Sequence, residues 1–158
     1  MEEKVKEIVL KANRFSTFNP VQDLAIKKGL LKGKNLLVCA PTASGKTLIA
    51  ELAFINNFLR KKGKALYIVP LKALANEKYK EFLGKYKDLG IKIGISTGDF
   101  DSLSQHLANK DLVILTSEKL DSLIRHKASW IKEASLLIID EIHLINDLSR
   151  GATLEMVI

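Results

Sequence analysis

The sequence predicts an α/β protein whose parallel β-sheet is covered by helices on both faces. Apolar runs at 35–40, 65–69, 91–96, 112–116 and 136–139 alternate with longer segments of helical spacing, the pattern of repeated βαβ units. The residues able to do chemistry follow these runs: Lys46, Pro70, Thr97-Gly98, Thr116 and Asp140-Glu141. In such sheets ligands sit at the carboxyl ends of the strands. That shared placement points to one site.

The chain of 158 residues is long enough for one domain, 1–158, with its own core. Hydrophobic residues make up 47% and charged ones 27%, a globular composition. No apolar run approaches the roughly 20 residues of a membrane helix, and the charged start Met1-Glu2-Glu3-Lys4 is not a signal peptide. No membrane association is expected. The single cysteine, Cys39, cannot form an internal disulfide; it is expected to be a small core residue in a reducing compartment. A net charge of +7 and a pI near 9.4 favour a polyanionic partner. Nucleotides, RNA, DNA and acidic membranes all satisfy that condition.

Residues 2–13 place Val5, Ile8, Val9 and Ala12 on one helical face, with Glu2–Lys6 and Glu7–Lys11 at i,i+4 spacing. In the next helix Asn19 suits the N-cap, Pro20 the first turn, and Gln22 the position that closes a capping box. That helix is expected to reach about Leu30, with Gly33 leading into a buried strand at 35–40. A helix from about Gly45 to Arg60 ends in basic residues and Gly63. The strand 65–69 stops at Pro70. Helix 72–87 turns Leu74, Tyr79, Phe82, Leu83 and Tyr86 inward. The strand 91–96 alternates enough to lie near a sheet edge. After strand 112–116, Ser117 can cap a helix reaching His126. A short helical link at 128–133, strand 136–139 and a final helix from Gly151 complete the chain.

Two motifs carry the chemistry. Ala40-Pro41-Thr42-Ala43-Ser44-Gly45-Lys46-Thr47 lies between an apolar run and a helix. A loop at a helix N-terminus gathers backbone N–H groups where the dipole favours negative charge. Gly45 permits close approach to a phosphate, Lys46 reaches the β- and γ-phosphates, and the Thr47 hydroxyl suits Mg²⁺. Ala40 stands where the usual phosphate loop has its first Gly. Asp140-Glu141 supplies the rest: Asp140 can hold Mg²⁺ through its water shell, and Glu141 can orient and deprotonate the attacking water. A pair of acids opening a helix would read the same way by itself.

These residues resemble motifs I and II of superfamily 2 helicases, with Asp140-Glu141-Ile142-His143 as the second. Val69-Pro70-Leu71-Lys72-Ala73-Leu74 is similar to motif Ia. Ser96-Thr97-Gly98-Asp99-Phe100 and Thr116-Ser117-Glu118-Lys119 resemble two neighbouring nucleic-acid-contacting motifs. The run from Thr116 to Arg125, with Asp140–His143 and Arg150-Gly151-Ala152-Thr153-Leu154-Glu155, is most similar to archaeal DNA repair helicases, relatives of the superkiller RNA helicases and of the helicase part of polymerase theta.

The resemblance implies a RecA-like phosphate-loop motor domain of an ATP-dependent DNA helicase that couples Mg-ATP hydrolysis to movement on single-stranded or forked DNA. An RNA helicase of the same superfamily, or a non-catalytic nucleic-acid-binding module, is the alternative. Pro41 through Thr47 would bind the nucleotide, with Lys46, Asp140 and Glu141 catalytic and Thr47 and Asp140 at the metal. Gln22 would read the adenine edge, a role compatible with its capping role. Lys72, Thr97, Gly98, Thr116 and Ser117 would face one nucleic-acid strand. His143 would couple nucleotide state to later motifs or lie as a surface histidine; Arg150 would contact nucleic acid or pair with an acid. His106 and His126, without partners at metal spacing, are expected on the surface. The implied compartment is the cytoplasm at the nucleoid, or the nucleus in a eukaryote.

The family's second motor lobe and Ser-Ala-Thr motif III are absent from this sequence. In the family the strand before motif III lies between those carrying motifs I and II, so the sheet is expected to be incomplete, its two flanking edges open unless they close up or another chain fills the gap. The chain reads as a fragment of a larger helicase that needs a second lobe, in the same parent chain or by self-association. By itself it is expected to be weakly active or inactive.

Overall fold

The computed structural model describes residues 1–41, 43–97, 104–146 and 151–157. They form two compact units, Met1–Lys61 and Lys62–Ile158.

In the first unit, helix α1 (Glu2–Asn13) buries Val5 and Val9. Lys6 pairs with Glu3 at 2.7 Å rather than with Glu2. Helix α2 (Pro20–Lys27) opens on the expected capping box: Gln22 N donates to Asn19 Oδ1 at 3.0 Å, and Asn19 N donates to Gln22 Oε1 at 2.9 Å. It ends before Leu30, because Gly29 turns left-handed (φ 105°) into a short 3₁₀ turn, Leu30–Lys32. Helix α3 (Lys46–Leu59) is buried over much of its surface. Its Glu51 accepts from Asn13 Nδ2 at 2.7 Å, and its Asn56 Nδ2 donates to the Leu31 carbonyl at 3.1 Å. These bonds satisfy polar groups that helix packing has taken out of water.

The segment before α3 departs from expectation. Residues 34–41 form no strand. Leu36 is 36% exposed and Leu37 73%, and Cys39 is exposed rather than in a core. The sheet of the described residues takes none of its strands from this segment. Apolar residues favour a pleated surface, but a strand exists only where neighbours accept and donate its backbone hydrogen bonds.

The second unit holds that sheet: β1 (Lys64–Val69), β2 (Ile93–Ser96), β3 (Leu112–Thr116) and β4 (Ala134–Ile139), in the order β2-β3-β1-β4 with every pairing parallel. β1 and β3 are central and wholly buried. β2 is an edge strand, as its alternation implied. β4 is the other edge, and Leu137 on it is 37% exposed.

Register decides what covers each face. Leu66 and Ile68 of β1 stand beside Val113 and Leu115 of β3. They form one cluster with Leu120 and Leu123 of helix α5 (Ser117–Arg125) and with Trp130 of a 3₁₀ turn, Ser129–Glu133. Successive strand residues point to opposite faces, so Tyr67 lies on the other side. There the ring of Phe82, from helix α4 (Lys72–Tyr86), meets it edge to face at 5.4 Å. The sheet is therefore covered on both faces, as predicted. α4 fully buries Ala75, Phe82 and Tyr86, while Leu74, Tyr79 and Leu83 are half-buried. The cap of α5 is Thr116, whose Oγ1 accepts from Lys119 N at 3.3 Å, rather than Ser117. Thr116 keeps the extended backbone a cap requires, and Ser117 is already helical. Helix α6 (Gly151–Val157) follows.

Candidate functional site

The phosphate-loop motif is shaped by two left-handed residues, Ala43 (φ 63°) and Gly45 (φ 79°), and by Ser44 N donating to the Pro41 carbonyl at 3.2 Å. Gly45 is the N-cap of α3, and among the described residues no side chain caps that helix. A Cβ on Gly45 would stand 2.3 Å from Gln22 Nε2, so space and backbone both call for glycine. The capping box of α2 also grips the loop. Asn19 Nδ2 donates to the Ser44 carbonyl at 2.9 Å, and Gln22 Nε2 donates to that of Gly45 at 3.3 Å. Gln22 is only 4% exposed, with both ends of its amide engaged. An adenine contact would have to replace its bond to Gly45.

Lys46 Nζ donates to the Ala40 and Pro41 carbonyls, each at 2.8 Å. The ammonium thus bends over the loop and is held by neutral acceptors, which phosphate oxygens can replace with stronger charge-assisted bonds. Thr47 is half-buried in the first turn of α3. Thr42 lies outside the described residues.

The second group of candidate residues gathers at the carboxyl end of the sheet. Asp140 continues the ladder, its N–H donating to the Ile68 carbonyl at 2.9 Å. Its Oδ1 accepts from Glu141 N at 3.0 Å, and its Oδ2 accepts from the Tyr67 hydroxyl at 3.1 Å. Glu141 adopts a left-handed backbone (φ 57°). For a residue other than glycine this costs on the order of 1 kcal/mol or more, a strain found often at functional turns. Its carboxylate is exposed, with Oε2 3.2 Å from Nδ1 of the exposed His143.

Asp140 and Glu141 border a small cavity with Pro70 and Ser117. Pro70 also borders a neighbouring groove of about 420 Å³, which takes in Lys72, Thr97 and Thr116 together with Glu118 and Lys119. Three of the residues predicted to face nucleic acid therefore share one groove, and Ser117 lines the cavity next to it. Lys72 is exposed, whereas Thr116 and Ser117 are 4% and 5% exposed, and the Thr116 hydroxyl is engaged in capping α5. Gly98 and Arg150 lie outside the described residues. His106 and His126 are exposed, as expected.

Asp140 fits a magnesium ion in kind. Mg²⁺ takes one or two carboxylates and otherwise water or phosphate oxygens. Asp140 is half-buried, and one accepted hydrogen bond on each oxygen leaves lone pairs for a hydrated cation. Among the described residues no cluster of three His, Cys, Asp or Glu could form an all-protein cage. Among them, too, no helix is long and apolar enough to cross a membrane.

Residues 19–158 match the DEAD/DEAH box helicase family. The chain belongs to that family. It is 52% identical over its whole length to the ATP-dependent DNA helicase Hel308 of Pyrococcus horikoshii, of which it covers 22%. It is 48% identical over its whole length to the protein of the same name from Thermococcus kodakarensis, covering 14%. For the Methanocaldococcus jannaschii protein of that name the identity is 50%, over 99% of this chain and 13% of the relative. The chain thus spans about a fifth or less of the length of these relatives.

Two contacts were missed in the sequence. Asn19 was read only as a helix cap, although its amide has donors to spare. The Tyr67 contact has a faint signal in the sequence: it is the one member of the 65–69 run with a polar tip, and a buried tyrosine hydroxyl usually finds a partner.

Proposed function

We propose that this chain is the ATP-binding motor part of an ATP-dependent DNA helicase, coupling Mg-ATP hydrolysis to translocation on single-stranded or forked DNA. The observation that carries the reading is the carboxyl end of the sheet. There Asp140, fixed by two hydrogen bonds, and Glu141, turned outward, stand beside a groove lined by Lys72, Thr97 and Thr116. The relatives that match nearly the whole of this chain at about half identity are named DNA helicases, which supports DNA as the nucleic acid.

In this reading the loop Pro41–Thr47 wraps the phosphates at the N-terminus of α3, and Lys46 exchanges its carbonyl partners for the β- and γ-oxygens. Gln22 exchanges its bond to the Gly45 carbonyl for the adenine edge. Asp140 holds magnesium, which when bound neutralises the phosphate oxygens, and the Thr47 hydroxyl is the phosphate loop's own candidate metal ligand. Glu141 orients the attacking water and takes its proton. His143, paired with Glu141, relates that carboxylate to later motifs. Lys72, Thr97, Gly98, Thr116 and Ser117 hold one strand through its phosphates, so binding is tolerant of sequence and sensitive to salt. A second motor lobe completes the ATP site, in the same polypeptide or by self-association. The compartment that goes with this reading is the cytoplasm at the nucleoid, or the nucleus in a eukaryote.

ATP turnover by the complete protein, measured with and without single-stranded DNA or RNA of equal length, tests this reading. Stimulation by DNA well above that by RNA is expected. Stronger stimulation by RNA would make the protein an RNA helicase. Failure to bind nucleotide, with or without Mg²⁺, would leave a non-catalytic binding module.

A further inference from the structure

Tyr67 is 1% exposed, at the centre of β1, and its ring rests edge to face on Phe82. The β1–β4 register sets it beside Ile138. Residues two apart on a strand share a face, so Asp140 projects to the side occupied by the tyrosine ring. A tyrosine is long enough to span that step, and its hydroxyl stands 3.1 Å from Asp140 Oδ2. The other oxygen, Oδ1, accepts from Glu141 N at 3.0 Å. A carboxylate bonded at one oxygen only could swing about its Cβ–Cγ bond. Bonded at both, it is fixed.

We infer that Tyr67 is a positioning residue for the Asp140 carboxylate, holding it in the single orientation that receives a hydrated magnesium ion. The inference rests on the assignment of Asp140 proposed above. It adds a reason for a polar tip within the otherwise apolar run 65–69. Phe82 holds the ring, the ring holds the hydroxyl, and the hydroxyl holds the metal ligand. Hydrogen-bonding partners of metal ligands act in this way, and their loss costs about 10- to 100-fold in metal affinity or activity.

The test titrates Mg²⁺ against the complete protein saturated with a fluorescent ATP analogue, and separately measures nucleotide affinity in EDTA. Tyr67→Phe keeps the ring and removes the hydroxyl. It is expected to raise the half-saturating Mg²⁺ concentration about tenfold, with nucleotide affinity in EDTA and the melting temperature close to wild type. In an Asp140→Asn background the same substitution should add nothing, because the group it acts through is gone. An unchanged Mg²⁺ requirement in Tyr67→Phe, or an equal increase in both backgrounds, would overturn the inference while leaving the role of Asp140 intact. A wild-type requirement in Asp140→Asn alone would overturn that role and the inference with it. If Tyr67→Phe does not fold, Phe82→Leu replaces it: this variant keeps the hydroxyl but loosens the ring, so a several-fold rise is expected and none would refute the positioning role.

Discussion

Residues 35–40 and 112–116 are alike in sequence and unlike in structure. Each is a short apolar run followed by a residue that can start a helix. Leu112–Thr116 is a strand with every residue buried, paired to β1 on one side and β2 on the other. Residues 35–40 form no ladder, and Leu37 is 73% exposed. β-Propensity already favours 112–116, where Val113, Ile114 and Thr116 are β-branched against Val38 alone in 35–40, but propensity is a weak prior and does not by itself make a ladder. The deciding difference lies in company. A strand's hydrogen bonds belong to its neighbours, and β3 has two. The helices flanking 35–40 show the converse, since α2 and α3 form beside an unpaired segment because an α-helix closes its own hydrogen bonds.

The largest expected effect contrasts the chemistry of the two regions. In the complete protein, Glu141→Gln should lower ATP turnover about 10²–10⁴-fold, the range for loss of a general base, with nucleotide affinity nearly unchanged. Lys46→Ala should instead weaken nucleotide binding itself. Equal loss of binding in both variants, measured by titration of a fluorescent nucleotide, would erase the division of labour between loop and strand end.

A smaller effect separates the two apolar runs by stability. Ile114 is fully buried, so Ile114→Ala should cost about 2–5 kcal/mol in denaturant unfolding. Leu37→Ser should fall within about 0.5 kcal/mol in the same chain, as for surface substitutions generally. A large loss at Leu37 would show that the segment is buried in solution. If a second lobe or another chain completes the sheet, the cost at Leu37 should rise in that assembly while the cost at Ile114 stays put.

The smallest effect is electrostatic and belongs to α4. Burial pushes the Glu81 carboxyl up, but hydrogen bonds from Lys85 and Lys78, with their charges, outweigh it and hold the group below the ordinary glutamate range. A lowered native pKa means a stabilisation fully present above the ordinary value of about 4.3. It is lost as pH falls through the lower native value. Glu81→Gln should therefore destabilise slightly at pH 7, by about 0.3–0.5 kcal/mol for each i,i+4-type pair. The difference from wild type should vanish in acid, and a gap that persisted at low pH would point to packing instead.

Much of the candidate site was legible because its residues sit where chain direction changes. Pro70, Thr97, Thr116 and Asp140 each end an apolar run, and parallel strands bring such ends to one edge. The capping box at Asn19 and Gln22 was legible because its spacing is local, whereas its grip on Ser44 and Gly45 joins residues more than twenty positions apart. Cys39 was misplaced by the same logic that misplaced its strand. The cap of α5 falls on Thr116, one residue before the expected Ser117, because both residue types can cap and the extended backbone at Thr116 decides between them.

Local chemistry therefore determined where the helices start to within a residue, which segments are apolar, and which loop and carboxylates can serve a nucleotide, because those properties depend on residues within one or two turns of each other. Tertiary structure decided which apolar runs became strands, which face each strand residue took, and that the Tyr67 hydroxyl would meet Asp140 across seventy-three positions of chain. Strand pairing and side-chain register are agreements between distant segments, and no stretch of sequence contains both parties.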